Sequence, residues 1–252
     1  MSGSPLILAT TTSTVDSGLL DALIPRFERE TGITVKTIGA GSGMAIKMGK
    51  MGNADVLLVH SPDEETLLMK EGSGTNRQAV MHNDFILCGS AKDPANVRSA
   101  TNATEAFRRI ARTQALFISR GDRSGTHVKE LSLWPATGET LSNLWYLESG
   151  QGMGATLMIA NQKDAYTLAD RATFLAFRDK LNLVILSEGD AKLRNPYHVI
   201  EVNPAKHPKV NAAGAKAFST FLRSAETQQA IAGFGKSRFG QSLFFPDAQS
   251  KY

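Results

Sequence analysis

Strand, polar loop and helix follow one another three times within the first seventy residues. The apolar run 6–9 leads into five consecutive hydroxyl residues, 10–14, and then into leucines at helical spacing, in a helix that we expect Asp16 or Ser17 to cap. Residues 33–38 and 54–59 begin the second and third copies of the pattern. Strands that alternate with helices predict an α/β fold with parallel strands and right-handed crossovers. Ligands of such sheets bind at the carboxyl ends of the strands, which is where these polar loops lie.

The rest of the chain predicts a second α/β lobe and a return to the first. We expect a mixed, mainly parallel sheet flanked by helices in each lobe, with lobe I formed by residues 1–84 and 203–252, lobe II by residues 85–202, and two strands as the hinge. The predicted strands are 79–88, 115–118, 183–186 and 197–202, with a strand leading into a capped helix in 163–170. The predicted helices are 104–112, 125–134, 152–160, 210–223, 225–234 and one near 138–146.

Composition excludes several classes of protein. No apolar run approaches the ~20 residues that span a bilayer, so no transmembrane segment is predicted. The 28 basic and 24 acidic residues are scattered, without the basic runs typical of nucleic-acid binding. Cys88 is the single cysteine and the five histidines are dispersed, so neither a disulfide nor a metal site is predicted.

Three polar loops precede predicted helices and carry the groups that bind anions. They are residues 10–14, 39–43 and 120–126. Backbone N–H groups at a helix N-terminus point outward with partial positive charge, and Arg120 adds a full charge. Alternatively, Ser124 or Thr126 only caps a helix and Arg120 is a solvated surface charge. Three such loops with one arginine favour an oxyanion site over three separate caps.

The motifs of common enzymes are incomplete. The third glycine of a dinucleotide fingerprint is replaced by Met44, and no Gly-Lys-Ser/Thr ending follows Gly43. Neither Ser42 nor Ser124 lies in Gly-x-Ser-x-Gly. A phosphoryl- or acyl-transferring enzyme that uses Ser124 and His127 stays as an alternative; otherwise we predict no catalytic residue and no cofactor.

Four stretches together resemble the tungstate-binding proteins of bacterial ABC importers, within the type II periplasmic binding proteins. They are residues 10–13, 39–43, 54–62 and 119–127, in that order over nearly the whole chain. Arg-x-x-x-Ser-Gly-Thr alone is less specific, because phosphate-binding relatives are similar there. A phosphate or sulfate receptor of the same fold therefore stays as the alternative within this class.

The resemblance implies a monomeric, two-lobed receptor that closes about a hinge on tungstate, and on molybdate, and delivers it to a permease driven by an ATPase. It also implies a periplasmic or other extracytoplasmic location, although residues 1–5 lack the pattern of a secretory leader. Carried over by motif, the oxyanion-binding residues are Thr11, Thr12, Ser13, Ser42, Arg120, Ser124, Gly125 and Thr126.

Two carboxylates lie near these motifs. A fully deprotonated tetrahedral oxyanion only accepts hydrogen bonds, so a site of donors suits it and a carboxylate does not. We therefore expect that neither Asp55 nor Asp122 contacts the anion, and that Asp122 is turned outward.

Overall fold

The computed structural model describes residues 4–249, so Met1–Gly3 of the opening stretch lie outside the described residues. The chain divides into two units. Unit 1 runs up to His82 and resumes at Pro196, and unit 2 is Asn83–Asn195. Each unit combines strands and helices, which confirms the predicted α/β class.

The strands of the described residues are β1 (Leu6–Thr11), β2 (Val35–Ala40), β3 (Val56–Val59), β4 (Gly74–Ser90), β5 (Phe117–Ser119), β6 (Tyr146–Glu148), β7 (Thr167–Asp170), β8 (Leu183–Ser187), β9 (Arg194–Val202) and β10 (Phe245–Pro246). The helices are α1 (Thr12–Asp16), α2 (Leu19–Thr31), α3 (Ser42–Lys50), α4 (Pro62–Lys70), α5 (Ala103–Thr113), α6 (Gly125–Leu133), α7 (Met153–Gln162), α8 (Arg171–Phe177), α9 (Ala212–Arg223), α10 (Ala225–Gly233) and α11 (Lys236–Phe239).

In unit 1, β1 lies between β2 and β3 and is parallel to both. On the other side of β3, β9 runs antiparallel. Apart from the half-buried Ile7, the apolar side chains of β1 and β3 are buried, as expected for parallel strands covered on both faces. The carboxyl ends of the three parallel strands therefore lie along one edge of the sheet, where Thr11 pairs with Ala40 and Thr10 with Leu58.

In unit 2, the second half of β4 pairs antiparallel with β7 and β8, while β5 is parallel to β6. Aromatic side chains form much of its core, with edge-on contacts of Trp134 to Phe107, Phe117 and Trp145. Aromatic pairs of this geometry stabilise a core beyond their buried area. The core thereby fixes β5 against the helix that follows it, α6.

The helix predicted near residues 138–146 is wrong. Pro135–Thr137 forms one 3-10 turn, and Gly138 then adopts φ +75°. A left-handed residue ends a helix. The chain continues to β6, and Trp145 packs in the core of unit 2 instead of on a helix face.

The helix start predicted at Asp16 or Ser17 is also wrong. Part of the 10–14 hydroxyl run is itself helical, because α1 begins at Thr12 and is capped by Thr11. The next helix, α2, follows Gly18, which adopts φ 77° and provides no side-chain cap. Thr12, Ser13 and Thr14 are therefore held in a helical turn, whereas Thr10 and Thr11 end β1.

The chain passes between the units within two strands, at residues 82–83 of β4 and 195–196 of β9. On the unit 2 side, Asn195 Nδ2 donates to Asn83 Oδ1 at 2.7 Å. Nearby along β4, Asp84 accepts two hydrogen bonds from the buried Arg171 guanidinium.

Among residues 4–249, no helix has both the length and the apolar character needed to cross a membrane.

Candidate functional site

The loop between β5 and α6 in unit 2 is sharply bent. Gly121 adopts φ +66° and Arg123 adopts φ +58°, so two of its five residues are left-handed. Gly121 is required there for a second reason, since a Cβ atom would lie 2.6 Å from Glu148 Cβ. The left-handed conformation is unfavourable for Arg123, because it has a side chain. The bend therefore needs contacts that hold it.

Arg120 is the charged group of this loop. Its carbonyl accepts hydrogen bonds from Gly150 N at 2.9 Å and from the Ser149 hydroxyl at 3.2 Å, which ties the residue to the segment after β6. The side chain is 18% exposed, and one guanidinium nitrogen donates to the Asp122 carboxylate. Arg120 Nε is buried and has no hydrogen-bond partner within residues 4–249. A buried donor without an acceptor is costly, so this atom is suited to an incoming anion.

Asp122 is exposed, and its carboxylate is bonded to groups of its own loop. Its carboxylate accepts from Arg120 and, at 3.1 Å, from Ser124 N. Burial by itself raises the pKa of Asp122, but the hydrogen bonds from Ser124 and the Arg120 charge bring the pKa below its ordinary value. Asp122 therefore stays ionised and partly compensates the charge of Arg120.

Asp55, the other carboxylate, belongs to the framework of unit 1. It is buried and accepts from Ile7 N and from Asn211 N, each at 2.7 Å. These bonds join β1 to the residue that caps α9. Asp55 therefore has a structural role.

The start of α6 provides neutral donors. Ser124 caps the helix, and its Oγ accepts from His127 N at 3.4 Å. Gly125 is exposed and Thr126 is buried in the first turn. The first N–H groups of a helix have no intrahelical acceptor, so those of Gly125 and Thr126 remain for a ligand. Capping by Ser124 and anion binding by the amides are compatible.

A buried carboxyl lies beneath the same loop. Glu130 of α6 is 2% exposed and accepts from Trp134 Nε1 at 3.0 Å and from the Tyr146 hydroxyl at 2.7 Å. Burial raises its pKa against the opposing effect of hydrogen bonds from Trp134, Ser119 and Tyr146. These contacts join α6 to β5 and β6 and fix the base of the loop. Sequence reasoning missed Glu130, although it lies three residues after His127 and four before Trp134 and so shares their helix face.

In unit 1, the Thr11 side chain is the centre of a hydroxyl cluster. Its Oγ1 lies 2.6 Å from Thr14 Oγ1, 3.1 Å from Ser13 Oγ and 3.1 Å from His60 Nε2. Thr11 is 4% exposed, whereas Thr12 and Ser13 are exposed in the first turn of α1. The cluster therefore presents hydroxyls and amides at the end of β1.

Ser42 begins α3 directly after Gly41, which provides the extended residue before the helix. Ser42 is half-buried. Because β1 and β2 are neighbours, the turns that start α1 and α3 adjoin at one edge of the sheet. His60 follows β3 at the same edge; the sequence indicated only a turn there.

The structure thus gathers the predicted site residues into one group in each unit. Thr11, Thr12, Ser13 and Ser42 lie at the carboxyl edge of the unit 1 sheet, and Arg120, Ser124, Gly125 and Thr126 lie on the loop and first turn of α6 in unit 2.

The Ser124 and His127 pair lacks the geometry of a nucleophile and its base. His127 Nδ1 accepts from Arg123 N at 2.9 Å, and Nε2 makes no hydrogen bond to a described residue. Neither ring nitrogen is therefore bonded to the Ser124 hydroxyl. In the described part of the chain, no three His, Cys, Asp or Glu residues are grouped as metal ligands.

Comparison with known proteins gives one consistent family. The sequence profile of the PBP superfamily domain matches residues 2–226. The tungstate-binding protein TupA of Peptoclostridium acidaminophilum is 47% identical over 245 residues, which is 96% of this chain and 86% of that protein. The solved structure of tungstate-binding protein TupA from Desulfovibrio alaskensis G20 is 42% identical and superimposes with a TM-score of 0.92, covering 97% of this chain and 100% of that one. A structure described as the tungstate ABC transporter from Geobacter sulfurreducens is 43% identical with a TM-score of 0.80, covering 92% and 99%.

Proposed function

Because this chain belongs to the PBP superfamily and, within it, to the family of tungstate-binding proteins, we propose that it captures tungstate outside the cytoplasm and delivers it to an ABC permease. It acts as a monomeric receptor, and the permease and its ATPase are its partners. Molybdate is the second ligand, because it is also a tetrahedral dianion. No chemical step is part of this role.

The observation that carries the proposal is the donor set of the unit 2 loop. Arg120 offers a buried Nε–H without an acceptor in the described residues, and the first turn of α6 offers the amides of Gly125 and Thr126. A guanidinium and a helix N-terminus are complementary to an oxyanion in charge and geometry. The Ser124 hydroxyl adds a donor that can rotate towards the ligand.

We propose that the unit 1 group binds the same anion. Thr11, Thr12, Ser13 and Ser42 provide hydroxyl and amide donors without any charge. Tungstate has acceptors only, so the eight residues together match it, with Arg120 as the main compensation for its charge.

Phosphate is the second candidate, and one contact favours it. Every phosphate ion at neutral pH carries at least one proton and therefore benefits from an acceptor. Asp122 is an ionised carboxylate paired with Arg120, so it is an acceptor at the loop. Sulfate lacks that proton and gains nothing from Asp122.

A thermal-unfolding panel tests the proposal. Tungstate, molybdate, phosphate, sulfate and ATP are each added to the purified protein. A ligand at one hundred times its Kd stabilises the native state by about 2.7 kcal/mol, so we expect tungstate and molybdate to raise the Tm by several degrees. A larger shift with phosphate would identify a phosphate receptor. A shift with ATP alone would favour the phosphotransfer enzyme.

A further inference from the structure

We infer that His127 is a positioning residue that holds the anion-binding loop in shape through its Nδ1 atom, and this inference rests on the proposed function. The bend at residues 120–124 connects Arg120 to the start of α6. His127 lies in the first turn of that helix and contacts the loop from below.

The loop bends at Arg123, and His127 supports that bend. Arg123 adopts φ +58°, which an L-residue with a side chain rarely adopts. Its backbone N–H donates to His127 Nδ1 at 2.9 Å. The Arg123 side chain is exposed, so its conformation is held by the backbone contact and not by packing of the guanidinium. Without His127 Nδ1 as the acceptor, Arg123 would keep its unfavourable backbone conformation and its N–H would lose its hydrogen-bond partner.

This contact determines the tautomer of the imidazole. Nδ1 accepts a hydrogen, so the neutral ring carries its own hydrogen on Nε2. The ring is fixed in place, since the His127 side chain is only 7% exposed. His127 therefore presents a lone pair to the loop and an N–H to the opposite side.

The Nε2 atom is badly placed to bind an anion directly. It faces the carboxylate of Glu148, with Nε2 4.0 Å from Glu148 Oε1. A dianion beside that carboxylate would be repelled. The useful atom of His127 is thus Nδ1, and it acts through Arg123.

The position of the Arg123 backbone determines how the Arg120 guanidinium is placed relative to the amides at the start of α6. Ser124, the next residue, caps α6 and donates its own N–H to Asp122, which in turn pairs with Arg120. A shift of the Arg123 amide therefore moves the guanidinium relative to the amides of α6. Such a displacement weakens binding even though no ligand contact is deleted.

Two isosteric amides separate the roles of the two ring nitrogens. In His127→Asn the side-chain oxygen takes the position of Nδ1, and in His127→Gln the amide reaches the position of Nε2 instead. Calorimetric titration with tungstate is expected to show at least tenfold weaker binding for His127→Gln, corresponding to ~1.4 kcal/mol, and binding within about threefold of wild type for His127→Asn. The reverse ranking would make Nε2 a direct ligand, and equal affinities in all three proteins would remove His127 from the site.

A double-mutant cycle distinguishes positioning from general destabilisation. If His127 acts through the Arg120 loop, then in the Arg120→Gln background the further change His127→Gln should weaken binding by less than about threefold. Full additivity of the two losses would overturn the inference. The Tm of each variant without ligand shows whether it remains folded.

Amide hydrogen exchange without any ligand keeps this inference separable from the proposed function. We expect the Arg123 amide to be protected in wild type and in His127→Asn, and to exchange at least about tenfold faster in His127→Gln. If this exchange pattern is found but the protein does not bind tungstate, the proposed function is refuted and the loop contact of His127 is still supported. Equal exchange in a protein that binds tungstate would refute the inference alone.

Discussion

The donor groups of the two units differ in whether their polar side-chain atoms already have hydrogen-bond partners. In unit 1, the hydroxyls of Ser13 and Thr14 and the Nε2 atom of His60 each lie within hydrogen-bond distance of the Thr11 hydroxyl, so these groups have partners before any ligand arrives. In unit 2, Arg120 has donors only and must find an acceptor, which Asp122 provides for one nitrogen while Nε has none in the described chain. A hydroxyl is both donor and acceptor, whereas a guanidinium is not. Under the proposed function, unit 2 would provide the charge for anion binding and unit 1 would provide adaptable neutral donors.

Removing the charge is the strongest test of this contrast. We expect Arg120→Gln to weaken tungstate binding at least tenfold, or ~1.4 kcal/mol, because a charged hydrogen bond in a partly buried site is replaced by a neutral one. Arg123→Gln is the matched control, since that side chain is exposed and its loss should change the affinity less than about twofold. Isothermal titration measures both, and a greater loss for Arg123→Gln would mean that the wrong guanidinium was assigned.

Removing the central hydroxyl of unit 1 should have a smaller effect on binding and a visible effect on folding. In Thr11→Val, Thr14 N loses its cap and the three side chains bonded to Oγ1 lose a partner. We expect the free energy of unfolding to fall by about 1–2 kcal/mol and the affinity for tungstate to fall about threefold. Denaturant unfolding and calorimetry measure the two quantities.

Thr11→Ser keeps the hydroxyl and should behave as wild type in both measurements. If Thr11→Val weakened binding as much as Arg120→Gln, the assignment of the dominant effect to charge would be wrong.

The smallest effect concerns the carboxyl beneath the unit 2 loop. Burial raises the pKa of Glu130 above its unfolded value of about 4.3. For an acid with a raised folded pKa, the stabilising contribution is fully present below the unfolded pKa and is lost as the pH rises through the folded pKa. The variant Glu130→Gln has no such loss.

The Tm of Glu130→Gln minus that of wild type should therefore increase as the pH is raised from about 4 towards 8. Thermal unfolding at a series of pH values measures this slope. A Tm difference that stays constant with pH would mean that Glu130 has the same pKa in the folded and the unfolded chain. The negative charge of ionised Glu130 would then offset the positive charge of Arg120 in unit 2.

Local patterns in the sequence were sufficient for the framework of unit 1 and for the loop of unit 2. Apolar runs followed by polar residues predicted β1 and β3, because both faces of a parallel sheet are covered and such strands are continuously apolar. The alternation of apolar and polar residues over 33–38 predicted β2. The same reasoning predicted the helix that begins after Ser124. These features depend on neighbours within a few residues.

The errors and omissions arise where distant residues decide. Residues 138–146 have helical spacing, but Trp145 is needed in the aromatic core of unit 2, and the left-handed Gly138 ends the 3-10 turn that Pro135 begins. Glu130 is important because Tyr146, sixteen residues away, donates to it. His60 reaches Thr11 across forty-nine positions. No local pattern contains such pairings, since the fold alone creates them.

The hydrogen bond of 2.7 Å between Asn83 and Asn195 has a consequence for protein engineering. The segment that forms unit 2 begins and ends at one point, as a guest domain inserted in a host does. Inserted domains with adjoining ends tolerate excision and transplantation. Unit 2, with the β5–α6 loop that carries Arg120, could therefore be exchanged between family members as one cassette, with its cuts made beside these two asparagines.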